Sequence, residues 1–219
     1  MSDSDDKYVE KRIRYRYYGP LPSKSPLLVR VPGVKGSRRR LHVVAAEAMT
    51  RLAEAIKRDL DIELQLASAW RRHRWKSREH YEQTVIKRFG SIREGRKWLA
   101  YKSPHETGLA MDIGVGGLWP SKKTRKAQRE QPLHKWLVEH AYEFGWHPYK
   151  REPWHWEHPV SLDAFKSGTL GPDDPGPPDD DDFSFEPGDE EDEELVEVDD
   201  LEEFPEGEPE DEEAEVNDA

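Results

Sequence analysis

The clearest periodic signal lies at residues 42–60, HVVAAEAMTRLAEAIKRDL, where Val43, Ala46, Met49, Leu52, Ala53, Ile56 and Leu60 recur at helical intervals. That spacing puts them on one face of an α-helix. The period then changes. Ile62, Leu64 and Leu66 alternate with polar residues through IELQLASAW, which predicts a strand running over Gln65–Trp70. Residues 71–100 are polar and helical in flavour, with a break at Phe89-Gly90-Ser91. LAMDIGV, 109–115, alternates again and predicts a central strand, and Ser121–Arg129 reads as a basic loop. PLHKWLVEHAYEF, 132–144, predicts a second helix that opens with Pro at an allowed early position and stops at Gly145. Trp154-His155-Trp156 alternates like a short strand. Ahead of the first helix, Pro20, Pro22, Pro26 and Pro32 leave an irregular arm with one short strand near Leu27–Val31. Helices mixed with separated strands, in no regular alternation, indicate an α+β domain.

Charge divides the chain in a way the periodicity does not. Of its 46 acidic residues, 26 fall in 171–219, which holds no Lys or Arg. Residues 1–170 therefore carry a net charge of +14, and the overall −12 conceals the split. The tail is rich in Pro and Gly and repels itself, so it is expected to be disordered. The expected organisation is a basic arm over 1–41, a folded domain over 42–170 and an acidic tail over 171–219. All eight Trp lie between Trp70 and Trp156, which puts the core and any groove there. With no cysteine there is no disulfide framework and no thiolate metal site, so a transition metal would have to be held by His, Asp or Glu. No run is apolar enough to span a membrane, and MSDSDDKYVEKRIR lacks the apolar centre of a secretory signal. The expectation is a chain made in the cytoplasm, with its site of action at a wall reached by some separate route.

Chemistry concentrates in two stretches. In Ser103-Pro104-His105-Glu106-Thr107-Gly108-Leu109-Ala110-Met111-Asp112, His105 ends a loop and Gly108 permits a sharp reversal into the strand. On that strand Asp112 shares a face with Ala110 and Gly114, opposite Leu109, Met111 and Ile113. In Glu152-Pro153-Trp154-His155-Trp156 a carboxylate precedes a histidine by three positions. If His155 joins His105 and Asp112, two imidazoles and one carboxylate suit one Zn²⁺, leaving a fourth position to water. Glu152 would take that water's proton and pass it to a leaving amine. Arg71, at the end of the predicted strand, is the candidate to face a developing oxyanion, because a guanidinium stays charged and donates in a fixed fork.

The string Ser-x-His-x-x-Gly-x-Ala-x-Asp-Ile, followed by Glu-x-x-His between tryptophans, resembles the D-alanyl-D-alanine carboxypeptidase family of zinc peptidases. That family includes vancomycin-resistance carboxypeptidases and dipeptidases and phage L-alanyl-D-glutamate endolysins, and is related to the hedgehog fold. The resemblance covers about Ile62 to His158. It implies a small antiparallel sheet carrying the zinc with helices packed on it. It implies that His105, Asp112 and His155 bind the metal, that Glu152 is the base, and that Arg71, in Ser68-Ala69-Trp70-Arg71, acts on the transition state. It also implies that Gln83, in Tyr81-Glu82-Gln83, and Ser103 contact substrate. The chain departs from the pattern in having Ala69 for Gly and a longer, very basic segment between Arg71 and Gln83. The implied substrate is a peptidoglycan stem peptide, cut either at its terminal D-Ala or between L-Ala and D-Glu, the latter fitting a phage-like lytic enzyme.

Ordinary readings compete for each residue singly: a loop histidine at 105, a turn-capping carboxylate at 112, a surface pair at 152 and 155. The four in this order favour the metal site. His134 and His140 fall on different faces of the second helix and read as surface, and His42, His73 and His80 read as solvated among charges. His147 and His158 are the candidates to support the ligands from behind. Trp70, Trp154 and Trp156 flank the proposed site, and Trp154 is the candidate substrate platform; Trp98, Trp136 and Trp146 read as packing. The positive domain suits an anionic wall polymer better than nucleic acid, for which no motif is present. Its charge also suits a contact with its own acidic tail. A non-catalytic peptidoglycan- or protein-binding module that keeps the fold is the alternative, though such a module would have no need of Glu152.

Overall fold

The computed structural model describes residues 17–72, 75–96, 99–149 and 151–171. The acidic tail beyond Gly171, the first sixteen residues of the arm, and His73 and Trp98 lie outside them. The fold is α+β, as the mixed pattern of periods requires.

The residues read as an arm contribute a hairpin to the fold. Strand β1, Leu28–Pro32, pairs antiparallel with β2, Arg38–His42. Val31 and Leu41 enter the core from it. Helix α1, Val43–Leu60, follows directly, with the His42 ring accepting from the Val44 N–H at its start. Its buried face is Val44, Ala45, Ala46, Ala48, Met49, Leu52, Ala55 and Ile56, the predicted stripe turned slightly, so that Val43, Ala53 and Leu60 fall at its margins. His42 is therefore no solvated residue. It is fully buried, stacks on Phe165 and bonds to the Phe165 carbonyl at 2.9 Å.

The second sheet is antiparallel, in the order β3 (Leu66–Ser68), β4 (Ala110–Ile113), β6 (Glu152–Glu157), β5 (His147–Tyr149). Strand β3 is shorter than its alternating pattern suggested. It is an edge strand whose partner β4 is only four residues long, and its register slips between Leu66 and Ser68. Pairs across β4 and β6 alternate in destination. Met111 opposite Trp156 enters the core, and the next pair, Asp112 opposite His155, must then face the other way.

Helix α2, Arg78–Phe89, is capped by Ser77 and ends at Gly90, and Ser91 caps the short α3, Ile92–Gly95, so the predicted break is a pair of helix termini. The expected basic loop is instead a turn capped by Ser121 leading into α4, Arg125–Glu130. Gln128 anchors it, fully buried and donating to the Trp119 carbonyl at 3.1 Å, an apolar-like role that a polar residue conceals. Helix α5, Pro132–His140, tightens into a 3₁₀ turn before Gly145. His134 on it is buried beside Trp156, whereas His140 is only partly covered. Helix α6, Leu162–Ser167, closes the described chain.

Residues ahead of β1 are tied to the rest. The Tyr17 hydroxyl donates to Glu106 Oε2 at 2.6 Å and the Leu21 N–H to the Glu106 carbonyl at 2.8 Å. Tyr18 donates to the Val160 carbonyl at 2.8 Å and packs on Phe165.

Candidate metal centre

Three local devices deliver the site. A one-turn 3₁₀ helix, Pro104–Thr107, carries His105, and the Ser103 hydroxyl caps it by accepting from the His105 N–H at 3.3 Å. Gly108 ends the turn at φ +75°, and a Cβ there would stand 2.7 Å from the His42 backbone nitrogen. Only glycine meets both conditions, and this reversal delivers the chain into β4 and Asp112. Strand pairing then sets His155 directly across from Asp112.

His105, Asp112 and His155 are all nearly fully buried. His105 Nε2 and His155 Nδ1 lie 3.2 Å apart. Asp112 Oδ1 lies 3.0 Å from His155 Nδ1 and 3.3 Å from His105 Nε2. Tetrahedral zinc at about 2.0–2.1 Å from its ligands separates them by roughly 3.3–3.4 Å. The three atoms thus outline a near-equilateral face on which such an ion fits. Among the described residues this is the cluster of His and carboxylate side chains that could hold a metal ion.

The outer ring atoms settle which nitrogens are presented. His105 Nδ1 is 2.8 Å from the Ala69 carbonyl, which can only accept, so the ring hydrogen sits there and Nε2 offers its lone pair. His155 Nε2 is 3.0 Å from Glu157 Oε1, so Nδ1 is its inward atom. These supports are Ala69 and Glu157, whereas His158 bonds to the Gly145 carbonyl and packs at a tilt against Trp146. Glu157 had a signal in the sequence: in Trp-His-Trp-Glu it stands two residues beyond His155, on the same strand face. The Ala69 carbonyl left no signal, because any residue offers one.

Electrostatics fit the geometry. Burial and the nearby Arg71 charge hold the His105 imidazole down at about 4, so it is neutral and available as a ligand at pH 7. Burial alone would raise the Asp112 carboxyl, but His105, His155 and Arg71 hold it well below the carboxylate range. Burial likewise opposes charge on His155, but its bonds to Asp112 and Glu157 outweigh that and raise it to about 10, so this ring is protonated at pH 7 and would release its Nδ1 proton on binding a metal.

Glu152 opens β6 where the β5–β6 register shifts, opposite Tyr149. Burial raises its carboxyl above the usual range, and the charge of Asp112 adds to that. The Trp154 indole donates to Glu152 Oε2 at 3.2 Å. Trp154 is only 8% exposed, so the expected platform is instead a buried ring that holds Glu152. Arg71 reaches the cluster, with Nη2 3.6 Å from Asp112 Oδ2 and a side chain 42% exposed. Ser103 serves as the helix cap just described. Gln83 makes none of the cluster's hydrogen bonds. It lies exposed on α2, on the side away from buried Tyr81 and Val85, because two residues along a helix turn the side chain by about 200°.

The sequence matches the family model of VanY, D-alanyl-D-alanine carboxypeptidase, over residues 38–160. Comparison with curated proteins gave no match. Among solved structures, the chain is similar to VanYB in complex with D-alanine-D-alanine, at 20% identity and a TM-score of 0.41, over 68% of this chain and 88% of that one. It is also similar to a zinc complex of a mutant vancomycin-resistance D,D-pentapeptidase VanY from a VanB-type cassette, at 20% identity and a TM-score of 0.42, over 71% and 90%.

Proposed function

We propose that this chain, which belongs to the VanY family of D-alanyl-D-alanine carboxypeptidases, is a zinc peptidase that removes the terminal D-alanine from peptidoglycan stem peptides. The observation that carries the reading is the buried triangle of His105 Nε2, Asp112 Oδ1 and His155 Nδ1, with sides of 3.0 to 3.3 Å, beside a half-buried glutamate of raised basicity.

His105, Asp112 and His155 would hold one zinc ion. Bound there, zinc would polarise the scissile carbonyl and lower the pKa of water to about 7. Glu152 takes the proton of the attacking water and returns it to the departing amine. Its raised affinity for a proton suits both halves of that exchange, since an ordinary carboxylate is a weak base near neutrality. Trp154 fixes the Glu152 carboxylate by its indole N–H. Arg71, charged and still 42% open to solvent, is available to the oxyanion that develops as water adds. Ser103 holds the turn that carries His105. The positive charge of residues 1–170 suits the anionic polymers of a wall, where we place the action.

Digestion of purified muropeptides, with and without a chelator, tests this by mass spectrometry. The expected product has lost one D-alanine, in a reaction that zinc restores after chelation. Glu152→Ala should abolish turnover while keeping zinc. Release of whole stem peptides would instead mark an L-alanyl-D-glutamate endopeptidase of the lytic, phage-like kind. Zinc binding without any hydrolysis by the unaltered chain would leave a binding module.

A further inference from the structure

We infer that Glu157 is a positioning residue of the metal centre: its carboxylate fixes the His155 ring and strengthens that ring as a ligand. This rests on the zinc reading above and adds a member to it.

The placement follows from the strand. Side chains two apart on β6 share a face, so Glu157 stands beside His155 and not with Trp156, which enters the core. Across the sheet its neighbours are Ala110 on β4 and His147 on β5. Ala110 has only a methyl group, which leaves the longer glutamate side chain room on that side. The result is Glu157 Oε1 3.0 Å from His155 Nε2, with the Glu157 side chain 17% exposed.

The chemistry follows from the pairing. A cation bound here would displace the Nδ1 proton, which faces Asp112 Oδ1 at 3.0 Å, while Nε2 keeps its hydrogen toward Glu157, because an ionised carboxylate only accepts. The same bond withdraws the ring hydrogen toward an anion, which makes Nδ1 a better donor to a cation. The other ring differs: His105 is held through Nδ1 by the neutral Ala69 carbonyl at 2.8 Å and presents Nε2. One imidazole is thus oriented by a backbone dipole and the other by a full charge, and only the second can be removed by a side-chain substitution. With Asp112, Glu157 also balances a divalent ion that His105 and His155 cannot neutralise. Two glutamates on one strand thereby divide the work: Glu157 is engaged with a ligand, and Glu152, bonded to the Trp154 indole, keeps its other oxygen for the proton.

The test compares the full chain with Glu157→Ala, Glu157→Gln and His155→Ala. Zinc affinity is read by competition with a chromogenic chelator. The visible spectrum of the cobalt(II)-loaded protein reports ligand geometry, and kcat and KM are measured at saturating zinc. Glu157→Ala should weaken zinc binding by about 10–100-fold. Glu157→Gln, which keeps an acceptor oxygen without the charge, should lose less, shift the cobalt spectrum and lower kcat with KM unchanged. Gln preserves the volume of Glu and decides the matter should the alanine variant fail to fold. Zinc affinity within twofold of the unaltered chain in natively folded Glu157→Gln and Glu157→Ala, with His155→Ala still losing the metal, would overturn the role of Glu157 alone. An unaltered chain that binds zinc no better than His155→Ala would overturn the zinc reading and this inference with it.

Discussion

Replacing Gly108 by alanine separates two costs that a tight turn combines. Gly108 sits at φ +75°, where an added Cβ costs about 1 kcal/mol. That Cβ would also stand 2.7 Å from the His42 nitrogen and 3.3 Å from the Leu41 carbonyl carbon, both backbone atoms that cannot swing aside. The clash falls on the His42 N–H bond to the Gly108 carbonyl, now 2.9 Å, and breaking a buried bond of this kind costs about 1–3 kcal/mol. Gly108→Ala should therefore lose about 3 kcal/mol in total. Gly90→Ala is the control: it has φ +80° with nothing within 4 Å of the added carbon, and should lose only about 1 kcal/mol. Urea denaturation of both variants, in saturating zinc and again in chelator, gives the comparison. Gly108 also donates its N–H to the His105 carbonyl at 3.2 Å, so its variant should bind zinc more weakly while Gly90→Ala binds it normally. Equal losses of stability in the two variants, with zinc affinity unchanged in both, would refute the argument that close backbone approach sets the metal turn.

Three further outcomes are expected. Arg71→Ala should lower kcat/KM by about 10²–10³-fold while zinc affinity changes only a few-fold, and unchanged turnover would remove Arg71 from the chemistry. Burial, with help from Arg129, holds His134 at about 4 against an ordinary 6.5, so the folded state disfavours its proton; the stability this group contributes is present above pH 6.5 and is lost as pH falls toward 4. Over that window the loss is about 3 kcal/mol, and His134→Gln should flatten the measured slope of unfolding free energy by a comparable amount. Removing zinc from a solution held about 1,000-fold above its dissociation constant should cost about 4 kcal/mol of stability, and an unchanged melting temperature in chelator would deny the ion any part in holding the native state.

The elements legible in the sequence were those whose period and boundaries agreed. The stripe of α1, the break at Gly90 and the stop at Gly145 all survive in the structure, because apolar spacing and a left-handed glycine each specify the backbone locally. The meeting of His105, Asp112 and His155 was legible through motif and period, with Asp112 assigned to the face that the structure gives it. What escaped were contacts that depend on distant chain. His42 and His134 look like surface residues among charges until Phe165 and Trp156 cover them. The β1–β2 hairpin hid among prolines and arginines, since Val31 and Leu41 are its only fully buried apolar residues. Gln83 and Trp154 fit a motif by order along the chain, but helix rotation carries one outward and an indole bond draws the other to Glu152.

The clasp formed by Tyr17 and Leu21 on Glu106 bears on how small an active fragment can be. The matched span runs from 38 to 160, yet Glu106, beside a metal ligand and 4% exposed, takes its phenolic partner from residue 17. Trimming to the matched span would leave that carboxylate enclosed without its donor, strip β1 from β2, and remove the Phe165 carbonyl that receives the His42 ring. An isolated carboxylate in such surroundings takes up a proton or admits water, and either would loosen the turn that presents His105. The smallest autonomous catalyst cut from this chain should therefore begin upstream of Tyr17 and extend through Ser167.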